Sequence, residues 1–301
     1  MPRISVVGSI NVDLTVVSAR RPMSGETVTG TAFKMSPGGK GANQAVAIAR
    51  LGADVELFGC VGSDSNGAMM KENLNENGVV TDSLKTVCDK PTGVALITIT
   101  DNDNSIIVVP GANGCVGRHY IDSVKEKLLS SSVVLLQHEI PFDTVQYAIR
   151  LCHTHGIPVI LNPAPAMPVC EELIEMVSYI TPNEHEVEAL LNTGESMNEL
   201  MLRFPFKLIV TLGANGVSYS DGKSIINVPA IAAKVVDTTG AGDTFSGAFA
   251  KAISDGADLH EAIVFAQYAS GLSVEKFGAQ GGMPTMQEIC ERKSKDNNTK
   301  V

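Results

Sequence analysis

Three features of membrane and secreted proteins are missing from this sequence. No apolar run reaches about 18 residues, and the first residues lack a charged stretch followed by a long apolar segment and a small-residue cleavage site. The 6 cysteines are scattered, without the close spacing of zinc, redox or secreted disulfide motifs. We therefore expect a soluble, cytoplasmic protein with free thiols and no membrane partner.

Net positive charge is missing as well. The chain has 23 Lys and Arg residues against 33 Asp and Glu residues, which gives a formal net charge of −10. A surface of this sign does not favour nucleic acid or an anionic membrane, although a nucleotide bound with a metal needs only a local pocket of donors. The G-x-x-x-x-G-K-[S/T] spacing of a P-loop is also absent. Small-molecule ligands are therefore expected, and any phosphate site must use another kind of loop.

What the chain does have is an alternation of short apolar, strand-like runs with helix-like runs along most of its length. With 44% hydrophobic and 19% charged residues, it has the composition of a globular protein. Apolar strands that alternate with helices predict an α/β fold, in which a mostly parallel central sheet has helices on both faces. We expect residues 1–291 to form a single α/β domain and residues 292–301 to form a polar, frayed tail.

Two β-rich regions interrupt that alternation, at about residues 13–36 and 92–110. The second contains a predicted hairpin around the turn sequence Asp101-Asn102-Asp103-Asn104. We interpret both regions as a small β-sheet lid laid over one edge of the main sheet. A sheet of so few strands is marginally stable by itself, so its apolar face should pack on something else, and a second copy of the chain is one such partner.

The strongest sign of chemistry lies at residues 237–243, Asp-Thr-Thr-Gly-Ala-Gly-Asp. This segment follows the apolar pair Val235-Val236, which we interpret as strand, and it precedes a helix-like run. Small residues at the start of a helix leave N–H groups open at the positive end of the helix dipole, where an anion can bind. Asp243 beside such a site could take a proton from a hydroxyl that attacks a phosphoryl group. A glycine-rich turn with Asp243 as a capping residue is the alternative on local grounds.

Polar residues also follow other predicted strands, whose carboxyl ends should meet at one ligand-binding edge of the sheet. Asn11 and Asp13 alternate in an extended segment and can face one ligand, although turn chemistry explains the same residues. Two adjacent glycines precede Lys40, where the backbone can approach a ligand closely or simply turn into a helix. Asn183 and Glu186 fit either a phosphate and metal site or a capping box.

Taken in order, these motifs make the sequence resemble the PfkB-type carbohydrate kinase family over nearly its whole length. The signature at residues 237–243 identifies the family. The Gly-Gly-Lys-Gly-Ala-Asn and Asn-Pro-Ala-Pro-Ala runs are most similar to the members that phosphorylate D-ribose, rather than to those that act on fructose-type sugars or adenosine. The matching motifs lie at residues 8–13, 38–44, 111–113, 162–166, 182–186 and 237–243.

The resemblance implies transfer of a phosphoryl group from ATP to the 5-hydroxyl of D-ribose. It implies that Asp243 is the general base and that the N–H groups of Gly240, Ala241 and Gly242 form the anion hole. The implied sugar-binding residues are Asn11, Asp13, Gly39, Lys40, Asn43, Glu139 and Asp243. The implied residues around the nucleotide and its phosphates are Asn183, Glu186, Thr211, Gly213, Gly216, Gly242 and Gln267.

The same resemblance implies two metal ions and a homodimer. Mg²⁺ would accompany ATP, with Glu186 in contact with it through water. K⁺ would activate the enzyme from a loop beside the anion hole, held largely by carbonyl oxygens, and would bias that turn electrostatically. The implied residues of this cation loop are Asp237, Thr239, Ser273, Lys276, Gly278 and Gly282. The homodimer would form through the lid.

Two departures from the family pattern bear on these expectations. The stretch between Leu191 and Lys207 is short, so the helix before the Lys207 strand should be truncated or lost. Gly281-Gly282 stands where many relatives have Pro-Ser, at one of the implied K⁺ ligands. Two other functions stay open: a kinase for 2-deoxyribose, a fructose-type sugar or adenosine, and a non-catalytic protein that binds a sugar or nucleotide on the same fold.

Overall fold

The computed structural model describes residues 3–100, 103–191 and 193–298. Its strands are β1 (Ile4–Val7), β2 (Asn11–Ser18), β3 (Gly30–Gly38), β4 (Val55–Phe58), β5 (Cys60–Gly62), β6 (Lys85–Val87), β7 (Gly93–Thr100), β8 (Asp103–Val109), β9 (Val133–Leu136), β10 (Val159–Leu161), β11 (Tyr179–Ile180), β12 (Val210–Thr211), β13 (Val217–Ser220) and β14 (Ile225–Val228). Its α-helices are α1 (Lys40–Arg50), α2 (Ser65–Glu76), α3 (Arg118–Leu129), α4 (Phe142–Thr154), α5 (Glu171–Met176), α6 (Glu184–Leu191), α7 (Met197–Arg203), α8 (Ala241–Ser254), α9 (Leu259–Ser273), α10 (Ala279–Gly282) and α11 (Met286–Asn298). None of these helices is long and apolar enough to cross a membrane.

The centre of the fold is a five-stranded parallel sheet with the strand order β11-β10-β9-β1-β4. Successive side chains of a strand enter two different hydrophobic clusters: on β1, Ile4 and Val6 belong to one cluster and Val7 to the other. Helices α1, α8 and α9 contribute to the first cluster, and α3, α4 and α5 to the second. Because both faces are covered, these strands are mostly apolar, and the buried exceptions Ser5 and Glu56 are hydrogen-bonded to Ser131 and Ser83. The predicted α/β fold, with helices on both faces of a parallel sheet, is confirmed.

A separate sheet, called the lid sheet below, has the strand order β3-β2-β7-β8. Its strands fall in the two predicted β-rich regions, and β2 pairs in parallel with β7 while the other two pairs are antiparallel. The predicted turn residues Asp101 and Asn102 lie outside the described residues. Every residue of β8 is exposed, and Phe33, Ile106 and Ile107 are among the large apolar side chains that solvent reaches. A single chain therefore leaves much of the lid sheet's apolar surface uncovered.

The central sheet leads on, past β11, to a small antiparallel sheet of β12, β13 and β14. Isolated parallel bridges join Ile180 to Leu208 and Asn183 to Thr211. These bridges align the start of the antiparallel sheet with the carboxyl end of the central one. Thr211 therefore lies beside the loop that begins α6, at the edge where ligands of such sheets bind.

Helices α1 and α8 are in very close contact, and this contact positions the site. A Cβ atom on Gly247 of α8 would lie 2.9 Å from the Cβ atom of Ala47 and 2.9 Å from the carbonyl oxygen of Gln44. Only a residue without a side chain allows the two backbones to approach this closely. The contact brings the first turn of α1, which follows the two adjacent glycines, next to the first turn of α8.

The prediction of a strand at Val235-Val236 is wrong. These residues lie in an irregular segment, where the backbone N–H groups of Val236 and Asp237 both donate to the carbonyl oxygen of Val274. The two valines are 63% and 55% exposed, so they do not pack inside a sheet. Val235 instead lines a cavity, which explains an apolar side chain in a segment without sheet pairing.

The polar segment from Arg292 is also different from the expected frayed tail. Helix α11 continues to Asn298, and only residues 299–301 of the expected tail lie outside the described residues. The guanidinium of Arg292 donates to Glu275 at 3.1 Å, and the ammonium of Lys293 lies 5.2 Å from the ring centres of Phe265 and Tyr268. Because these contacts join polar side chains to α9 and the turn after it, the helix needs no apolar stripe at this end.

The short stretch between Leu191 and Lys207 retains a helix of one to two turns, α7. The hydroxyl of Ser196 accepts from the backbone N–H of Glu199 at 3.3 Å, and the carboxylate of Glu199 accepts from the backbone N–H of Ser196 at 2.7 Å. This capping box satisfies N–H groups that a helix start leaves unpaired. Of the two expected outcomes, a truncated helix or a lost one, the structure shows the truncated helix.

Candidate active site

Two glycines with positive φ angles introduce the helices that meet at the site. Gly39 (φ 88°) precedes α1, and Gly240 (φ 78°) precedes α8. A Cβ atom on Gly39 would lie 2.6 Å from the backbone nitrogen of Asn11, and one on Gly240 would lie 2.8 Å from the Cα atom of Ala279. Both positions therefore need glycine for conformation and for space. This explains why the motifs carry glycine at these two places.

Asp243 lies in the first turn of α8 and is 8% exposed. Each of its carboxylate oxygens accepts a hydrogen bond from a side-chain amide of α1: Oδ2 from Asn43 at 2.9 Å and Oδ1 from Gln44 at 3.0 Å. The positive end of the α8 dipole also favours a negative charge in this turn. The carboxylate is thus buried and held in one orientation by two donors. Gln44 has no assigned role in the sequence prediction, although it directly follows the Gly-Gly-Lys-Gly-Ala-Asn run.

The predicted sugar-binding carboxylates and Lys40 form one electrostatic cluster with Asp243. Burial and the nearby charges of Glu139 and Asp243 raise the pKa of Asp13 from 3.8 to about 6. Burial by itself lowers the pKa of Lys40, but the carboxylates of Asp243, Glu139 and Glu186 outweigh it and hold that pKa above its usual value. Lys40 is therefore a positive charge at the centre of this acidic group.

Other predicted sugar-binding residues are held in place by neighbours. The carboxylate of Glu139 accepts from the Ser9 hydroxyl at 2.5 Å and from the backbone N–H of Lys40 at 3.1 Å. The side-chain oxygen of Asn11 accepts from the amide of Asn113 at 2.7 Å. Ser9 and Asn113 have no predicted role, although they lie in the family motifs at residues 8–13 and 111–113. Their place in these motifs is the only sign in the sequence that they belong to the site. They orient polar groups that would otherwise rotate freely.

The capping-box alternative for Asn183 and Glu186 is observed. The side-chain oxygen of Asn183 accepts from the backbone N–H of Glu186 at 2.8 Å, and the carboxylate of Glu186 accepts from the backbone N–H of Asn183 at 2.9 Å. The same two residues also line a cavity of about 200 Å³ together with Lys40, Gly240 and Asp243. This polar cavity combines a lysine, carboxylates and amides, a donor set that suits phosphate and a hydrated divalent ion. The cap and the ligand role are therefore compatible.

A larger cavity of about 460 Å³ adjoins the polar one, and Thr211 and Gly242 line both. Most of its other lining residues are small or apolar, and they include the predicted nucleotide residues Gly213, Gly216 and Gln267. The side-chain nitrogen of Gln267 donates to the carbonyl oxygen of Val228 at 3.2 Å. This amide thus supports the cavity wall. The two cavities form a path in which a phosphate chain could pass Gly242.

The predicted anion hole lies at the start of α8, and the predicted cation-loop residues lie just before α8 and between the end of α9 and the end of α10. The N–H of Ala241 donates to the carbonyl oxygen of Thr238 at 3.2 Å, so a phosphoryl group would compete with that contact. The carboxylate of Asp237 accepts from the backbone N–H of Thr239 at 2.9 Å and of Gly278 at 2.8 Å. Burial raises the pKa of Asp237, but these hydrogen bonds outweigh burial and keep it below its usual value. Asp237 is therefore an ionised residue that ties the two parts of the loop together.

For the other predicted cation-loop residues, backbone oxygens are the groups to consider. A Cβ atom on Gly282 would lie 2.3 Å from the carbonyl oxygen of Ser273, so glycine leaves that oxygen room. The ammonium of Lys276 donates to Glu288 at 2.5 Å. Carbonyl oxygens of this kind suit a monovalent cation. No cluster of three His, Cys, Asp or Glu side chains that could hold a metal ion occurs in the described parts of the chain.

Known proteins are similar to this chain over nearly its whole length. The model of the pfkB family carbohydrate kinases matches residues 1–286. The ribokinase of Bacillus subtilis is 48% identical, over 97% of this chain and 99% of its own. The crystal structure of the Thermotoga maritima ribokinase has a TM-score of 0.89 at 35% identity and covers 98% of this chain and 100% of its own. The Arabidopsis thaliana ribokinase complexed with ribose and ATP has a TM-score of 0.88 at 34% identity, over 96% of this chain and 98% of its own.

Proposed function

The chain belongs to the PfkB family of carbohydrate kinases, and from this premise we propose that it transfers the γ-phosphoryl group of ATP to the 5-hydroxyl of D-ribose. The products are D-ribose 5-phosphate and ADP, so the activity is that of a ribokinase. One observation carries the proposal: Asp243 is buried at the amino end of α8, beside a cavity suited to phosphate, with an amide donor on each carboxylate oxygen. A carboxylate in this setting is an oriented proton acceptor.

In this mechanism Asp243 takes the proton of the sugar hydroxyl while the hydroxyl oxygen bonds to the γ-phosphorus of ATP. The bond between that phosphorus and the bridging oxygen of ADP breaks, and ADP leaves. The N–H groups of Gly240, Ala241 and Gly242 stabilise negative charge on the transferring group, because they lie at the amino end of a helix. Lys40 adds a positive charge next to the same cavity.

Recognition of the sugar is assigned to side chains that carry fixed donors and acceptors. Asn11, Asp13, Lys40, Asn43 and Glu139 would bind the hydroxyl groups, and the backbone at Gly39 would approach the ring. The partners of Asn11 and Glu139 leave these groups few alternative orientations. A sugar that lacks one hydroxyl would leave a buried polar group unpaired, which is a strong basis for discrimination.

The substrate assignment is tested by measuring ADP release with D-ribose, 2-deoxyribose, fructose and adenosine. The expected result is the highest kcat/KM for D-ribose. A clear preference for adenosine or a fructose-type sugar would assign the enzyme to another branch of the family. No ADP release with any of the four, while ATP and sugar still bind, would support a non-catalytic binding protein.

The role of Asp243 is tested with Asp243→Asn, which retains the size of the side chain and removes the base. We expect kcat to fall by at least about 100-fold, with a smaller change in the KM for ribose. Asp143→Asn is the matched control, because Asp143 also lies in the first turn of a helix but is exposed and lines neither cavity. Near-normal kcat in Asp243→Asn would refute the assignment of the base.

Mg²⁺ and K⁺ are the ions we propose for this enzyme. Asn183 and Glu186 would support the phosphates and the water shell of Mg²⁺, which supplies positive charge to the phosphate oxygens. The cation loop would hold K⁺ largely through carbonyl oxygens. Chelation of Mg²⁺ should abolish turnover. Asp237→Asn should reduce both the preference of the rate for K⁺ over Na⁺ and the K⁺-dependent rise in melting temperature, which is a measure of binding that needs no turnover.

Homodimerisation through the lid sheet is a further part of the proposal. The exposed apolar side chains of β8, including Ile106 and Ile107, support it, because a monomer rarely leaves such a surface in water. Light scattering at micromolar concentration should give the mass of a dimer, and Ile107→Lys should give a monomer. Leu202→Lys is the control, since Leu202 is an exposed apolar residue outside the lid sheet. A wild-type monomer would contradict this part of the proposal.

A cytoplasmic location is also proposed. The 6 cysteines are free in the structure, and three of them, Cys88, Cys170 and Cys290, are exposed. Free, exposed thiols are typical of a reducing compartment. The phosphoryl donor ATP points to the same compartment. Fractionation of cells that produce the full chain would check this location.

A further inference from the structure

A chain of three side-chain amides ends on the buried carboxylate of Asp243. The amide nitrogen of Asn73 donates to Gln280 Oε1 at 2.8 Å, and Gln280 Nε2 donates to Asn43 Oδ1 at 3.1 Å. Asn43 Nδ2 then donates to Asp243 Oδ2 at 2.9 Å. All three hydrogen bonds run in the same direction, from α2 through α10 to α1 and finally to α8. Gln280 is the middle link, and it has no role in the function described so far.

The direction of this chain follows from the carboxylate at its end. An ionised carboxylate only accepts hydrogen bonds, so Asn43 must turn its nitrogen toward Asp243. The oxygen of Asn43 then faces the other way, inside the protein, and needs a donor. Gln280 provides that donor, and both residues are only 6% exposed. Without that donor, the orientation of Asn43 that serves the base leaves a buried oxygen unpaired, so this orientation is favoured less strongly.

Gln280 is itself held by α1, the helix that carries Asn43. The guanidinium of Arg50, at the last turn of α1, donates to the carbonyl oxygen of Gln280 and, at 3.1 Å, to that of Met283. Helix α1 therefore contacts α10 at two points, through Asn43 at its start and through Arg50 at its end. This leaves Gln280 little freedom to move away from Asn43.

We infer that Gln280 is a positioning residue for phosphoryl transfer, because it fixes Asn43 in the orientation that donates to Asp243. The inference rests on the proposed role of Asp243 as general base. Gln280 acts only through Asn43 and touches no substrate. When Gln280 lacks its amide donor, the buried oxygen of Asn43 has no partner, and the Asn43 amide is held less firmly against the carboxylate. The base then loses part of the contact that orients it.

Gln280→Met tests this inference, because methionine retains the length of the side chain without a donor or an added charge. We expect kcat to fall by about 10-fold, with the KM for sugar changed by less than about 3-fold, since an oriented carboxylate matters most in the transition state. The acidic limb of the kcat profile should move to higher pH. The charged groups near Asp243, which include Lys40, Asp13 and Glu139, are the same in wild type and variant. A shift of this limb would therefore come from the changed hydrogen bond.

A double-mutant cycle separates positioning from general damage. If Gln280 acts through Asn43, then Gln280→Met should change kcat by less than about 2-fold in an Asn43→Leu background. Effects that multiply in the double variant would overturn the inference. Ser5→Ala is the control for loss of a buried hydrogen bond: Ser5 is fully buried, its hydroxyl bonds to that of Ser131 at 2.5 Å, and it lines neither cavity, so kcat should stay unchanged. Melting temperatures of all variants show whether lost activity reflects unfolding.

A measurement without turnover distinguishes failure of the inference from failure of the proposed function. In the substrate-free protein, one side-chain amide proton of Asn43 should be protected from exchange with solvent and shifted by its bond to the carboxylate. NMR should show that Gln280→Met removes this protection, whatever sugar the enzyme accepts. An unchanged Asn43 signal together with wild-type kcat would refute the inference and leave the kinase assignment intact. If the wild type has no kinase activity but Gln280→Met alters the Asn43 signal, the link from Gln280 to Asn43 would stand and the proposed function would be refuted.

Discussion

The polar cavity of about 200 Å³ beside Asp243 and the adjoining cavity of about 460 Å³ differ in how their walls are built. Charged and amide side chains line the smaller one, and buried neighbours fix the carboxylate of Asp243 by hydrogen bonds. Small and apolar residues line most of the larger one, with backbone close to the surface. A wall of fixed polar groups demands a matching partner for each group, whereas an apolar wall mainly demands shape. Changes to the polar wall should therefore alter chemistry and sugar choice, and changes to the apolar wall should alter nucleotide affinity.

Among the changes that compare the two walls, the largest effect is expected at Gly240, in the turn that precedes α8 and lines the polar cavity. Gly240→Ala places a Cβ atom 2.8 Å from Ala279 Cα at φ 78°, so the turn must shift. We expect kcat to fall by more than about 10-fold, and the free energy of unfolding to fall by about 1–3 kcal/mol.

Steady-state kinetics and denaturant unfolding measure both effects. Gly256→Ala is the matched control, because Gly256 has φ 86° but no atom within 4 Å of the added Cβ. It should lose stability by about 1–2 kcal/mol and keep full activity. Equal kcat values for the two variants would mean that the conformation of the turn at Gly240 does not matter for phosphoryl transfer.

Asp13 gives a smaller effect that is confined to the polar wall. Its pKa is raised from 3.8 to about 6, so it favours the fold most below about pH 4, and this contribution is lost as the pH rises through about 6. The shift of about two units corresponds to up to about 3 kcal/mol. At about pH 8, Asp13→Asn should therefore raise the free energy of unfolding, while the KM for ribose rises by about 10-fold or more.

Thermal unfolding between about pH 4 and pH 8 measures the stability difference between wild type and Asp13→Asn. The difference should grow as the pH rises, and the KM for ATP should stay unchanged. Lower stability of the variant at about pH 8 would contradict the unfavourable charge at Asp13.

The smallest effect is expected on the apolar wall, at Gly271 of α9. A Cβ atom there would lie 3.3 Å from Ile231 Cβ, so Gly271→Val fills part of the larger cavity. We expect the KM for ATP to rise by about 5-fold, with the KM for ribose and kcat at saturating ATP unchanged. Kinetics with each substrate varied in turn measure the difference. A change in ribose KM would show that the two walls are not independent.

Local patterns in the sequence predict the parts of this molecule that depend on near neighbours. The glycines before α1 and α8 and the position of Asp243 belong to short motifs, so their place in the fold follows from the motif. The alternation of apolar runs likewise predicts the central sheet. Val235-Val236 misled the strand prediction because residues that line a cavity are apolar for the same reason as residues in a buried strand.

Contacts between distant segments explain what the sequence did not predict. Gln280 meets Asn43 across 237 positions of sequence, and Gln44 meets Asp243 across 199. No local pattern distinguishes a glutamine that holds a catalytic group from one that faces solvent. Arg292 and Lys293 stabilise the end of α11 through partners on other segments, so their polar sequence resembled a frayed tail.

The close contact of α1 with α8 at Gly247 divides the enzyme into a part that is hard to alter and a part that is open to redesign. Asp243, the proposed base, and its two amide donors are held close together, because their helices leave no space for a side chain between them at Gly247. Asn11 and Asp13 lie instead on β2, a strand of the lid sheet, outside that helix pair. New acceptor sugars could therefore be sought by varying β2 alone, with the machinery of phosphoryl transfer kept unchanged.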